Sequence, residues 1–124
     1  MSSRPLLQPM PVIVDGDLAT PLTSLVTIIS NQSMMSYEYV WTGASPVASV
    51  DVQVSNDYSQ NADGTVRNTG NWASLPLSTS PSVTGNTGVG VVDIDQLGAY
   101  AIRTVITPIS GTGTINVTYK GKVA

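Results

Sequence analysis

Two aspartates, Asp93 and Asp95, stand two residues apart in the run VVDIDQL. In an extended strand, residues i and i+2 share a face about 7 Å apart, a spacing at which two carboxylates can share a metal ion or divide acid and base work. Such work also needs a cleft and a carboxyl pKa raised by its surroundings, and neither is announced here. A strand end turning into residues 96–98 accounts for the pair equally well. Ser59, Asn61, Asp63 and Gly64 imitate part of an oxygen-rich calcium loop. A full EF-hand loop begins with Asp and carries a bidentate Glu at its twelfth position, where this chain has Ser59 and Gly70, so a plain polar turn satisfies the same residues. The chain has no His and no Cys. That removes Ser-His nucleophilic catalysis, the commonest general base and metal ligand, thiolate metal sites and any disulfide framework. A Ser-Lys pair through Lys120 or Lys122 has no supporting motif. The segment GNTGVG, from Gly85 to Gly90, leads into a strand and lacks the Lys and following helix of a phosphate-binding loop. The expectation is a protein without catalytic residues, without a cofactor and without a metal site.

The elements that would position any of these groups are strands. Residues 37–55 and 99–120 alternate apolar and polar side chains more regularly than any other part of the chain. Val50, Val52 and Val54 alternate with Asp51, Gln53 and Ser55, and Ile115, Val117 and Tyr119 alternate with Asn116, Thr118 and Lys120. Period-two alternation gives a strand one dry and one wet face. Each stretch is broken once, at residues 42–46 and at SGTG, residues 110–113, so each reads as a hairpin. Met35, Tyr37, Tyr39 and Trp41 fall on one face as an aromatic stripe, which is core or interface wall. Further short strands are expected near residues 11–14, 22–30, 72–77 and 89–94, and long polar loops at 56–71 and 78–88. Seven to eight short antiparallel strands with frequent turn signals predict an all-β fold, a single β-sandwich of jelly-roll or Greek-key type.

Composition agrees. The chain's 124 residues suit one domain, its hydrophobic 41% contains no Phe, and 11 Gly and 8 Pro favour turns over helices. Charged residues make up only 10%, against about 25% in an average soluble domain. The wet faces are therefore Ser, Thr, Asn and Gln, which suits a protein packed against copies or partners, or a Thr/Ser-rich extracellular sandwich. Five basic residues scattered among eight acidic ones offer no patch for nucleic acid. No run of about 18 apolar residues provides a membrane span, and Pro5, Pro9 and Pro11 interrupt what would be a signal-peptide core. Two glycosylation sequons, at Asn31 and Asn116, carry little meaning without one.

Those prolines bias residues 1–11 toward polyproline II. The expected organisation is an extended arm over residues 1–17 and a sandwich over 18–124. Leu6, Leu7 and Met10 would seat the arm on a neighbour, or on its own domain.

The stretch YVWTGASPVASVDVQVSND, then Asn71-Trp72, then AYAIRTVITPISGTGTINVTYKGK resembles a family of small tailed-bacteriophage virion proteins. Its ordered marks are Trp-Thr-Gly, a Val-alternating strand ending in Ser-Asn-Asp, a Trp after a variable loop, Tyr-x-x-Arg, and Gly-Thr-Gly before the last strand. The resemblance covers residues 37–122 and implies a β-sandwich component of the virion with no enzymatic role: a capsid decoration protein, or a tail or fibre accessory protein. It implies as partners copies of the chain itself, as a homotrimer, and a major capsid or tail protein. A similar Trp and Ser-Asn-Asp pattern occurs in carbohydrate-binding sandwich modules. That keeps open recognition of host-surface glycans, with Tyr58, Trp72 or Trp41 as stacking platforms beside the 56–71 loop.

Overall fold

The computed structural model describes residues 9–29, 34–75, 82–95 and 99–122. Among them there is no helix, and the chain is a β-sandwich-like all-β domain. Its strands are β1 (Met10–Asp17), β2 (Leu22–Thr23), β3 (Thr27–Ile28), β4 (Met34–Ser55), β5 (Ser59–Gln60), β6 (Val66–Asn68), β7 (Ala73–Ser74), β8 (Ser82–Val83), β9 (Thr87–Asp95) and β10 (Ala101–Lys122). Eight form one antiparallel sheet with the path β1-β10-β4-β7, to which β2 and β3 add on β10, and β8 and β9 on β4. The other two, β5 and β6, make a small separate hairpin.

The two alternating stretches are not hairpins. Strands β4 and β10 are each 22 residues long and pair with one another along their length, from Ala101 opposite Ser55 to Lys122 opposite Met34. What looked like a turn in each is a shared corner. In β4 the buried residues are odd-numbered through Met35, Tyr37, Tyr39 and Trp41, and even-numbered through Ala48, Val50 and Val52. In β10 they run even through Ile102, Thr104 and Ile106, then odd through Ile115, Val117 and Tyr119. A one-residue change of parity flips a strand's dry face to its other side. Both strands make that change together, between residues 42–46 and 107–114, where β10 carries irregular register and Ser45 and Gly111 adopt φ of 49° and 76°. The ribbon therefore folds over itself. One half, with β1 and β9, packs its dry face on the other, with β2, β3, β7 and β8. Tyr39 of the first half closes a 2.8 Å hydrogen bond with Thr104 of the second.

The Trp-Thr-Gly and Gly-Thr-Gly motifs are the two sides of this corner. Gly43 stands opposite Gly113, and a Cβ on Gly113 would lie 2.5 Å from the Thr42 carbonyl oxygen. Of the segment expected as an arm, residues 1–8, with Leu6 and Leu7, lie outside the described residues. Residues 10–17 are strand β1, with Met10 exposed and opposite Tyr119. Pro11 and two register shifts fit β1 to a sheet edge, where a missing N–H costs no ladder bond.

The core is made of Val, Ile and Leu around three tyrosines, with Tyr37 and Tyr119 edge to face at 5.5 Å between ring centres. Burial raises the phenol pKa of Tyr37 and Tyr39 far above its usual value and pushes Tyr119 up to about 12. A pKa raised in the folded state contributes stability that is complete below the unfolded value near 10 and is lost as pH climbs through the folded value. At the other end, hydrogen bonds from Asn71 and Thr65 lower Asp57 and Asp63, whose contribution is lost as pH falls through the carboxylate range. With no His or Cys between these limits, thermal melts are expected to give a flat Tm from about pH 5 to 9 and a steep fall above about pH 10. A Tm that changes steeply between pH 6 and 8 would contradict this.

Candidate functional site

The Ser-Asn-Asp, Asn-Trp and Tyr-x-x-Arg motifs, far apart in sequence, meet where β4 ends, β7 begins and β10 begins. At the end of β4, Ser55 is buried and turns the chain: its Oγ donates to Asp57 Oδ1 at 2.9 Å, and the backbone N–H of Tyr58 donates to that same Oγ at 3.2 Å. The far end of the loop is then latched to Asp57. The Asn71 backbone N–H donates to Oδ1 at 2.7 Å and Asn71 Nδ2 to Oδ2 at 2.6 Å. These bonds favour the ionised carboxylate, the Asn71 backbone N–H most, and hold the Asp57 pKa below its usual value. Closure needs Gly70. Its φ is 78°, and a Cβ there would lie 2.7 Å from Ser55 Oγ and 2.9 Å from the Tyr58 nitrogen.

Trp72 follows the latch and is half-buried. Its ring centre lies 5.9 Å from that of Tyr58 and 4.2 Å from the Arg103 guanidinium carbon, and its Nε1 donates to the Thr69 carbonyl at 2.9 Å. Arg103 is held there by a polar row across three strands. Its Nε donates to Gln53 Oε1 at 2.8 Å, Gln53 donates to Asp51 Oδ2 at 3.3 Å, and Ser74 Oγ donates to that oxygen at 2.7 Å. Cation-π contacts of this kind are worth about 0.5–1 kcal/mol at exposed sites. The loop motif and the strand motif thus hold each other in place.

Beside the latch a cavity of about 320 Å³ opens, lined by Val54, Asn56, Asp57, Asn71, Ala73 and Ala99 among others. Of the aromatic platforms expected from the sequence, Trp41 is 7% exposed and Tyr58 6%, so both rings are largely spent on packing. Trp72 stands next to Asn71, but its ring meets Tyr58 and Arg103. The polar lining, Asn56, Asp57 and Asn71, was not singled out as a site by sequence reading. The available signal was a pair of Asx-rich segments flanking one loop.

Asp93 is exposed on β9 opposite Ser36, and Asp95 stands opposite Met34. Asp93 is not among the described residues that line the cavity. Among the described residues no group of three or more carboxylates or other metal-ligating side chains gathers. Asp63 is spent on a tight turn, accepting from Thr65 N at 3.0 Å and Thr65 Oγ1 at 2.6 Å. Of the two sequons, Asn116 accepts from Asp15 N at 2.8 Å, and Asn31 lies outside the described residues. No described helix is long and apolar enough to cross a membrane.

The class defined by fold and site is an all-β sandwich whose loops are fixed by short polar latches. No protein-family model matches the chain, and no curated protein matches it in sequence. Among solved structures the chain is similar to the K1 cleaved adhesin domain of Lys-gingipain from Porphyromonas gingivalis W83, at 11% identity and a TM-score of 0.30. The match covers 82% of this chain and 59% of that one. A likeness this loose carries no argument about function.

Proposed function

We propose that the chain is a non-enzymatic structural protein of a tailed-bacteriophage virion, a capsid decoration protein that packs on the particle and against copies of itself as a trimer. The supporting observation is strand β9. It pairs with β4 on one side only among the described residues, leaving the other backbone edge open. Its outward side chains are Thr87, Val89, Val91 and Asp93. Val89 and Val91, 64% and 56% exposed, stand next to one another with no charge between them, and Val40 of β4, 39% exposed, stands directly opposite Val89. Open edges with apolar side chains are templates for pairing with another chain, and proteins ordinarily blunt them with charge, proline or bulges. The opposite edge, β1, carries Pro11 and two register shifts, whereas the register of β9 runs unbroken. With 10% charged residues in the chain, a surface of this kind suits a protein that is covered in its working state.

The decisive measurement is mass spectrometry of gradient-banded particles from the source lysate, in which peptides of this chain are expected to band with the particles. Their absence from banded particles would overturn the reading. In isolation the full chain is expected to sediment as a homo-oligomer, and the Val89→Lys, Val91→Lys double variant as a folded monomer. Residue 91 stands opposite Glu38, so lysine there adds a favourable cross-strand neighbour and leaves the fold intact.

A further inference from the structure

We infer that the cavity beside the Asp57 latch binds a single neutral sugar ring. The latch consumes only part of the hydrogen-bonding capacity around it. Asn56 Oδ1 accepts the Tyr100 backbone N–H at 3.2 Å, leaving both hydrogens of Nδ2 as donors. Asn71 spends one of its two Nδ2 hydrogens on Asp57 Oδ2, leaving the other as a donor and its Oδ1 as an acceptor, and Asp57 Oδ2 takes that single bond, leaving a lone pair. Among the described residues these atoms have no other partner. The residues that carry these two acceptors and three donor hydrogens line one cavity of about 320 Å³.

The remaining wall is apolar: Val54, Ala73 and Ala99, of which Val54 and Ala99 pack on the core behind. Ala73 stands opposite Val54 in the sheet, so this wall is set by backbone pairing. Vicinal hydroxyls both donate and accept, and the C–H face of a pyranose is apolar, which matches a few placed polar groups over an apolar floor. Other ligand classes fit worse. Among the described residues no lysine or arginine lines the cavity, which disfavours phosphates and other anions. A single carboxylate falls short of the six to eight oxygens that calcium takes. This site is separate from the β9 edge, so it stands or falls independently of the virion reading.

The test is a ¹⁵N-edited NMR titration of the full chain with D-glucose, D-galactose, D-mannose and N-acetyl-D-glucosamine to tens of millimolar, alongside an array of immobilised glycans. Saturable shifts at the amides of residues 54–57, 71–73 and 99 are expected with at least one sugar, and array signal in addition would identify a surface glycan as the source. Asn56→Ala removes two of the three donor hydrogens, while Ala73→Leu fills the cavity without touching a hydrogen bond. Each is expected to weaken binding about tenfold or more. No saturable shift with any of the four sugars together with a blank array would overturn the proposal. So would binding that persists unchanged in both variants.

Discussion

Gly43→Ala is expected to destabilise the protein by about 3 kcal/mol or more, with the sign opposite to the usual one for a strand. In an ordinary strand interior, glycine is about 0.5–1 kcal/mol worse than alanine, because it loses more freedom on folding. Here the added methyl would run into the backbone of the facing strand. Gly43 and Gly113 are a register pair, and a Cβ on Gly43 would come 2.5 Å from the Gly113 Cα and closer still to the Thr112 carbonyl oxygen. Backbone cannot rotate aside as a side chain can, so the corner must open. Both halves of the sandwich hang from it, so a local shift loosens the packing of Tyr37, Tyr39 and Tyr119 against the opposing half. The comparison that isolates this effect is Gly64→Ala. Gly64 has φ of 89° but nothing within 4 Å of its Cβ position, so its change carries only the left-handed strain of about 1–2 kcal/mol. Urea unfolding followed by tryptophan fluorescence measures both. A Gly43→Ala loss no greater than that of Gly64→Ala would show that the corner is not backbone-packed.

The corner also shows how much of the fold could be read beforehand. Odd-numbered apolar positions from Met35 to Trp41 and even-numbered ones from Val50 to Val54 are plain in the sequence, as is the Gly- and Pro-containing break between them. Alternation on each side of the break was enough for the all-β class. It was not enough for the pairing. A turn and a bent, parity-switching strand both demand Gly, Pro and Ser, and only the partner strand tells them apart. That information lies far along the chain, in the matching break at SGTG, where Gly113 faces Gly43. Local pattern fixes which face of a strand is dry; long-range register decides what covers it.

The latch site was legible in a different way. Ser55, Asn56, Asp57, Asn71, Trp72 and Arg103 were visible as motifs, without a physical reason for occurring together. In space the reason is mutual support: Ser55 and Asn71 hold Asp57, Gly70 lets the strands close, and Arg103 and Tyr58 contain Trp72. Tryptophan beside polar residues in a loop reads as a sugar platform when burial is unknown. Once its ring is seen against Tyr58 and Arg103, the open polar capacity lies next door, on Asn56, Asp57 and Asn71.

Thr104→Val is expected to cost about 2–3 kcal/mol, although the side chains are nearly the same shape. Thr104 is fully buried and its Oγ1 donates to the Asp51 carbonyl at 2.9 Å. That commits its only hydrogen, so in the 2.8 Å contact with the Tyr39 hydroxyl the tyrosine is the donor. Valine removes the acceptor and leaves the Tyr39 hydroxyl buried with nothing to receive its proton, and it also takes a donor from the Asp51 carbonyl. Tyr39→Phe is the milder change, about 1 kcal/mol, because Thr104 keeps its bond to Asp51. The sharper outcome is the double variant. Once Thr104 is valine, deleting the orphaned hydroxyl relieves a desolvation penalty, so Tyr39→Phe in that background should restore stability, reversing its sign relative to wild type. Urea unfolding of the four proteins gives the coupling directly. Additive losses would mean that the hydroxyl finds another partner when Thr104 is gone, and the contact between the two halves of the sandwich would then rest on shape alone. A reversal would mean that this buried polar pair helps fix how the folded-over ribbon registers on itself.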